Sequence, residues 1–238
     1  MPPPESLRAH TRRYEERLAE GSRGWNRDGT PENPEPDHFA DLKQFLDSPW
    51  LPAGGLALDV GCGGGQGSFL LARAWLDRGI SDFSIRGIDF VPEATVLADS
   101  NRFDEGLNQA NIAFMTGELP EALESFPDNS TDLILDNHFF HCLVDSSERA
   151  SFLSGCARIL KPDGIMFLAN MLSTNIHLPK YDPRPSPRNV EGFQSFQIDH
   201  RYYADPNELF SDFRSAGLEP FFHYDTGGDI AIYAHRLQ

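Results

Sequence analysis

LALDVGCGGGQGS (56–68) decides how the rest of the chain is read. A short apolar run ends at Val60, and the chain must then turn tightly into SFLLARAWLDRG (68–79). The apolar spacing of that segment and its terminal glycine predict a helix. Glycines at 61, 63 and 65 let the backbone approach a ligand where a Cβ would clash. In open α/β sheets, ligands sit beyond the carboxyl ends of the strands, at the switch in strand order. The dinucleotide fingerprint G-x-G-x-x-G would need glycine at 66 after 61 and 63. Position 66 is Gln, and no other register satisfies the pattern. Asp59, two residues before the first glycine, sets a carboxylate where a pyrophosphate would be repelled. A positively charged ligand is the better match.

Working outward, strands and helices alternate. FSIRGIDF (83–90), IAFMT (112–116), DLILDN (132–137) and IMFLAN (165–170) read as strands. Pro92 suits the first turn of a helix after the second strand. SERASFLSGCARIL (147–160) reads as a helix stopped by Lys161-Pro162-Asp163-Gly164. Such alternation predicts a parallel sheet covered on both faces, and runs as apolar as LILD and IMFLA fit strands buried on both sides. Near the end, Asp205 caps a predicted helix (205–216) that Gly217 stops. LEPFFHY (218–224) and DIAIYAHR (229–236) flank a turn and predict a hairpin. Upstream, residues 5–20 read as a charged helix, 21–36 as a loop, and Asp37 as the cap of a short helix ending at Leu46. The segment 171–201, with four prolines and no helical period, reads as a lid or a linker.

Asp59-x-Gly61-x-Gly63-x-Gly65 resembles the first motif of class I S-adenosylmethionine-dependent methyltransferases. The similarity continues in order through Asp89-Phe90 after the second strand, Gly117-Glu118-Leu119 after the third and Asp136-Asn137 ending the fourth. ARILKPDGIMFLA (157–169) is similar to the family's helix–turn–fifth-strand segment. The match covers about 56–170 and resumes over 205–236. The resemblance implies an α/β, doubly wound, mostly parallel seven-stranded sheet with one antiparallel strand from the final hairpin. It implies four parts: an N-terminal helical lid or extension (1–50), a cofactor-binding core (51–170), a substrate-cap insert (171–204) and a C-terminal helix and hairpin (205–238). It also implies S-adenosylmethionine as cofactor. Asp59 would support its amino-acid end, the glycines would line it, Asp89 would accept its ribose hydroxyls, and Gly117-Glu118-Leu119 would hold adenine. Glu118 alternatively caps a helix starting near Leu119.

Methyl transfer from a sulfonium is an in-line displacement, so the protein chiefly aligns the reacting groups. A base is needed only for an acceptor that arrives protonated. LDNHFFHCLVD (135–145) leaves the fourth strand beside the expected methyl position and offers His138 and His141. Either imidazole can take a proton near neutral pH, and His141, a helical turn beyond Asp136, is favoured. The alternative is that both pack structurally. For the acceptor, Trp25, His177, Arg184, Arg188 and Arg201 are candidates, with arginine forks suited to an anionic small molecule. They read equally as solvated loop charges. The N-terminal piece, with Tyr14 and Trp25, is a lid over the cofactor, a homodimer contact or a tail.

The charge balance narrows the partners. With 36 acidic against 20 basic residues and a net charge of −16, the chain repels nucleic-acid backbones. Three cysteines without paired spacing give neither a disulfide framework nor a zinc motif, so no metal is expected. No run is long and apolar enough for a membrane span, and cytoplasmic location is the expectation. The sequence thus points to methylation of an O or N atom on a small metabolite. Two rivals stay open: a non-catalytic S-adenosylmethionine-binding regulatory module, and a nicotinamide-dependent oxidoreductase, which the missing fingerprint disfavours.

Overall fold

Helix α1 (Ala40–Leu46) lies against the sheet that the glycine segment opens. It starts later than expected, with Phe39 at its N-cap and no side-chain cap bond. It buries Leu42, Phe45 and Leu46, and Phe45 stacks on Phe167 with ring centroids 5.1 Å apart. The computed structural model describes residues 11, 12, 14–16, 19, 38–172, 188–191, 195–198, 201–225 and 229–237. The expected cap Asp37 and the loop 21–36 lie outside them; the described positions between 11 and 19 are helical.

Strand β1 (Gly55–Val60), helix α2 (Gln66–Asp77), strand β2 (Phe83–Asp89), helix α3 (Pro92–Asp104) and strand β3 (Ile112–Thr116) follow the expected alternation. Gly79, at φ +73°, ends the α2 segment, and Pro92 opens α3. Strand β4 (Thr131–Asn137), helix α4 (Ser146–Ile159) and strand β5 (Leu160–Met171) complete the parallel part. Lys161-Pro162-Asp163-Gly164 stops the helix as expected, and β5 already begins before it, at Leu160. The β4–β5 register shifts there, between Thr131 and Leu133, and Lys161 Nζ reaches Asp132 at 2.7 Å. The bulge absorbs the proline and keeps Lys161 on its neighbour.

The segment expected to be a lid or linker carries β structure where it is described. Strands β6 (Arg188–Glu191), β7 (Ser195–Ile198) and β8 (Arg201–Tyr203) form a separate antiparallel sheet in that order. Its residues 188–203 are free of proline and include Val190, Phe196, Ile198, Tyr202 and Tyr203, types that favour strands. A bridge between Leu172 and Ala204 ties its end to the carboxyl end of β5. Helix α5 (Pro206–Ser215) follows, its first turn capped by Asp205, which accepts from the amides of Asn207 and Glu208. Strands β9 (Leu218–Asp225) and β10 (Asp229–Arg236) make the expected hairpin.

The central sheet runs β3-β2-β1-β4-β5-β10-β9, with β10 antiparallel to both neighbours and all other pairs parallel. Order reverses between β1 and β4, so the carboxyl ends of these strands open a crevice. Alternation divides the core. Ile134, Met166, Leu168 and Leu172 face one layer with α4 and α5. Leu133, Leu135, Phe167 and Ala169 face the other, with α1 and α2. Among the described residues no helix is long and apolar enough to cross a membrane.

Candidate cofactor and acceptor site

The first half of the site forms at the ends of β1 and β2. Asp59 is buried, and its Oδ2 accepts from Ser68 Oγ at 2.7 Å. Asp89 is buried as well; Oδ2 accepts from the Gly63 amide at 2.9 Å and Oδ1 from the Val91 amide at 2.9 Å. The loop between them needs its glycines. Gly61 stands at φ +68°, and a Cβ there would come within 2.5 Å of Phe139 Cβ. Gly63 stands at φ +53°, and a Cβ there would meet the Tyr14 hydroxyl at 2.5 Å. Gly65, also left-handed, begins α2, while Asn101 of α3 donates to the Gly64 carbonyl at 2.9 Å and pins the loop from below.

Burial pushes Asp59 and Asp89 up to about 6, and hydrogen bonds only partly offset it. Among the described residues, no cationic side chain contributes to either value. Tyr14, packed with Val91, Ala94 and Phe90, feels the same field: burial first, then Asp89, pushes its phenol up. The Gly117 amide donates to the Asp89 carbonyl at 3.0 Å. Glu118 is exposed, with its carbonyl accepting from Ala122, and Leu119 is buried. The short helix expected near Leu119 is a 3-10 turn at Glu121–Ser125.

The second half forms where β4 ends. Asp136 is fully buried; Oδ1 accepts from the Phe139 and Phe140 amides at 2.8 and 3.1 Å, which folds the chain back over the strand. Its Oδ2 is buried without a hydrogen-bond partner, and burial pushes the carboxyl up to about 8. Asn137 donates through Nδ2 to the His38 carbonyl at 3.1 Å. His138 stands at φ +70°, outside the ordinary range of a non-glycine residue. Burial pulls its imidazole down to about 4, against the pull of Asp41, and Nδ1 is buried with no hydrogen-bond partner. His141 is buried, with Nε2 2.8 Å from Arg201 Nη1. A guanidinium only donates, so this Nε2 is the acceptor and its lone pair is engaged. Arg201 also donates to Cys142 Sγ at 2.9 Å.

The ends of β1, β2 and β4 therefore bring together Asp59, Gly61, Gly63, Gly65, Asp89, Phe90, Asp136, Asn137, His138 and His141, with Arg201 arriving from β8. Trp25, His177 and Arg184 lie outside the described residues, as does the side chain of Arg188 in β6. Sequence reading did not single out Ser68 and Asn101 as supports of the loop, nor Cys142, Asp41 or Asn170. Ser68 was reachable, since it stands in the first turn after the glycines; the others are set by contacts across the fold. Cys62 and Cys156 are buried with thiols pushed up by burial, so neither is a ready nucleophile. No group of three or more metal-ligating side chains occurs among the described residues.

Two buried carboxylates with no cationic partner among the described residues suit a ligand that brings positive charge and hydroxyl donors. S-adenosylmethionine carries a sulfonium, an ammonium and ribose hydroxyls, so the residues present fit it.

Comparison with known proteins identifies a methyltransferase domain. Residues 58–168 match the model of a methyltransferase domain. A ubiquinone biosynthesis O-methyltransferase of Xanthomonas axonopodis pv. citri is 25% identical over 216 residues, covering 88% of this chain and 81% of that protein. One from Ralstonia nicotianae is 29% identical over 175 residues, 71% of this chain and 64% of its own. Among solved structures, an S-adenosylmethionine-dependent methyltransferase from Methanosarcina mazei superposes with a TM-score of 0.60 at 25% identity, covering 79% of this chain and 95% of that one. Residues 58–168 thus form a methyltransferase domain, similar to those of S-adenosylmethionine-dependent methyltransferases, and S-adenosylmethionine is its cofactor.

Proposed function

We propose that this enzyme methylates a hydroxyl oxygen of a small acidic molecule. The observation that carries the reading is Arg201: a strand from the segment after β5 sets a guanidinium on His141, at the carboxyl end of β4. A cap from the chain's own cap sheet over the reacting end suits a compact acceptor, and a guanidinium there suits an anionic one. The names of the relatives, ubiquinone biosynthesis O-methyltransferases, favour oxygen over nitrogen.

When bound, S-adenosylmethionine supplies an electrophilic methyl on sulfur. Asp59 faces its amino-acid end through the Ser68-supported carboxylate, Gly61, Gly63 and Gly65 give it backbone to lie on, and Asp89 takes the ribose hydroxyls. Phe90 and Gly117-Glu118-Leu119 form the adenine end, and Asp136 and Asn137 separate cofactor from acceptor. His138 takes the acceptor's proton, because its ring Nδ1 has no hydrogen-bond partner while the His141 lone pair is held by Arg201. His141 thereby becomes a positioning residue for Arg201.

The test is product analysis. The purified chain, given S-adenosylmethionine and a library of hydroxylated carboxylic acids, should form S-adenosylhomocysteine in step with a product one methylene heavier. Methylation of amines alone would overturn the oxygen assignment. Tight cofactor binding with no product from any acceptor would instead identify a regulatory module.

A further inference from the structure

Asn170 of β5 is fully buried, and its Oδ1 has no hydrogen-bond partner. Its Nδ2 donates to the Met171 carbonyl at 2.9 Å, which fixes the amide's orientation and leaves the oxygen as the orphan. Its neighbours on the same face, Leu168 and Leu172, belong to the apolar layer shared with Tyr202 and Ala204. An unsatisfied amide oxygen in such a place is destabilising.

Asp136 on the adjacent strand stands in the same condition. Asp136 is in register with Leu168, so Asp136, Leu168 and Asn170 point to one face of the sheet. Both residues lie at the carboxyl end, where β8 crosses. Two neighbouring strands thus carry two fully buried, unpartnered oxygens toward the same layer. Buried polar groups are nearly always hydrogen-bonded, so a pair of exceptions side by side calls for a third group.

We propose that Asp136 and Asn170 form a subsite for one hydroxyl group of the acceptor, separate from the oxygen that is methylated. The two ends are complementary. With its carboxyl pushed up to about 8, Asp136 is protonated at neutral pH. Oδ1 already accepts two amides, so the proton resides on Oδ2. A single hydroxyl can accept from that O–H and donate to Asn170 Oδ1, which satisfies both orphans. The subsite selects acceptors with a second hydroxyl and contributes affinity, not proton transfer. It rests on the small-acceptor reading above.

Asn170→Leu is the direct test, because leucine fills the volume and removes the orphan. The Met171 carbonyl keeps its bond from the Ala204 amide, so the fold loses little. 3,4-Dihydroxybenzoate and 4-hydroxybenzoate, both carboxylates that differ by one hydroxyl, are titrated calorimetrically into protein saturated with S-adenosylhomocysteine. The wild type should bind the dihydroxy compound about tenfold or more tightly. In Asn170→Leu that ratio should fall to near one, while Tm stays level or rises. Asn170→Ala gives the same ratio measurement should leucine not fit, and Asn170→Ser should restore part of the preference. An unchanged ratio in the variants would overturn the proposal. So would a lower Tm with the ratio intact, which would assign Asn170 to the fold. Binding of neither compound to loaded wild-type protein would contradict the small-acceptor reading instead.

Discussion

The ends of β1 and β2 and the ends of β4 and β5 share one sheet but are organised by different chemistry. At β1 and β2, carboxylates are held by nearby partners: Asp59 by Ser68 nine residues on, Asp89 by Gly63 26 residues back. At β4 and β5, side chains meet segments far away. Arg201 reaches His141 across 60 residues, Asn137 reaches His38 across 99, and Tyr224 reaches the Asp41 carbonyl across 183. The first half is a local device for a ligand of fixed chemistry. The second is assembled from the whole chain, where an acceptor pocket can vary while the cofactor stays the same.

If the halves are separable, substitutions should divide by readout. The largest effect is expected in the second half. His138→Ala should lower turnover about 10²–10⁴-fold at saturating cofactor, with affinity for S-adenosylhomocysteine nearly unchanged. His141→Ala should raise the acceptor KM more than it lowers kcat. Wild-type rates and pH profiles in both variants would make the two histidines structural.

In the first half, Asp89→Ala should weaken S-adenosylhomocysteine binding by about 2–4 kcal/mol, the scale of hydrogen bonds to a charged group with a partner left unsatisfied. Calorimetry reads it, and an unchanged Kd would break the assignment of the β2 end to the cofactor.

A pH measurement sharpens the contrast further. Asp136 is pushed from the ordinary carboxylate range up to about 8, so between these values the folded state holds a proton that the unfolded state lacks. Its stabilisation is fully present at low pH and lost as pH rises through about 8. Up to about 1.4 kcal/mol per pH unit is at stake. Chemical denaturation of Asp136→Asn between pH 7 and 8 should show this slope removed. His138, pulled down to about 4, acts in the opposite sense only below about 6.5 and leaves that window untouched. A slope equal to wild type would show that Asp136 is ionised.

The smallest effect concerns the loop. Gly63→Ala puts a Cβ against the Tyr14 hydroxyl and forces a left-handed residue, at a cost of about 1–2 kcal/mol. The loss should appear in Tm and in cofactor affinity together.

The same contrast explains what the sequence could disclose. The alternation of strands and helices, the final hairpin and the glycine loop were legible because periodicity and glycine chemistry act over a few residues. Lys161-Pro162-Asp163-Gly164 was legible as the helix stop, but not the bulge it makes in β5, which depends on Asp132, 29 residues earlier. The β6–β8 sheet hid behind prolines that precede it. Arg201 was visible as a basic residue, but its place on His141 was not. Asn170 gave no signal, since one asparagine at the end of an apolar strand looks like a strand terminus. Its significance comes from Asp136 on the next strand.

The most direct test of the central claim, that the acids of β1 and β2 receive a cationic adenosyl ligand, is calorimetric titration of the purified chain with S-adenosylmethionine, S-adenosylhomocysteine and NAD. The first two should bind and NAD should not. Affinity for S-adenosylmethionine should also fall from pH 7 to pH 5, as Asp59 and Asp89, poised at about 6, take up protons. Binding of NAD with no response to either adenosyl compound would contradict the account.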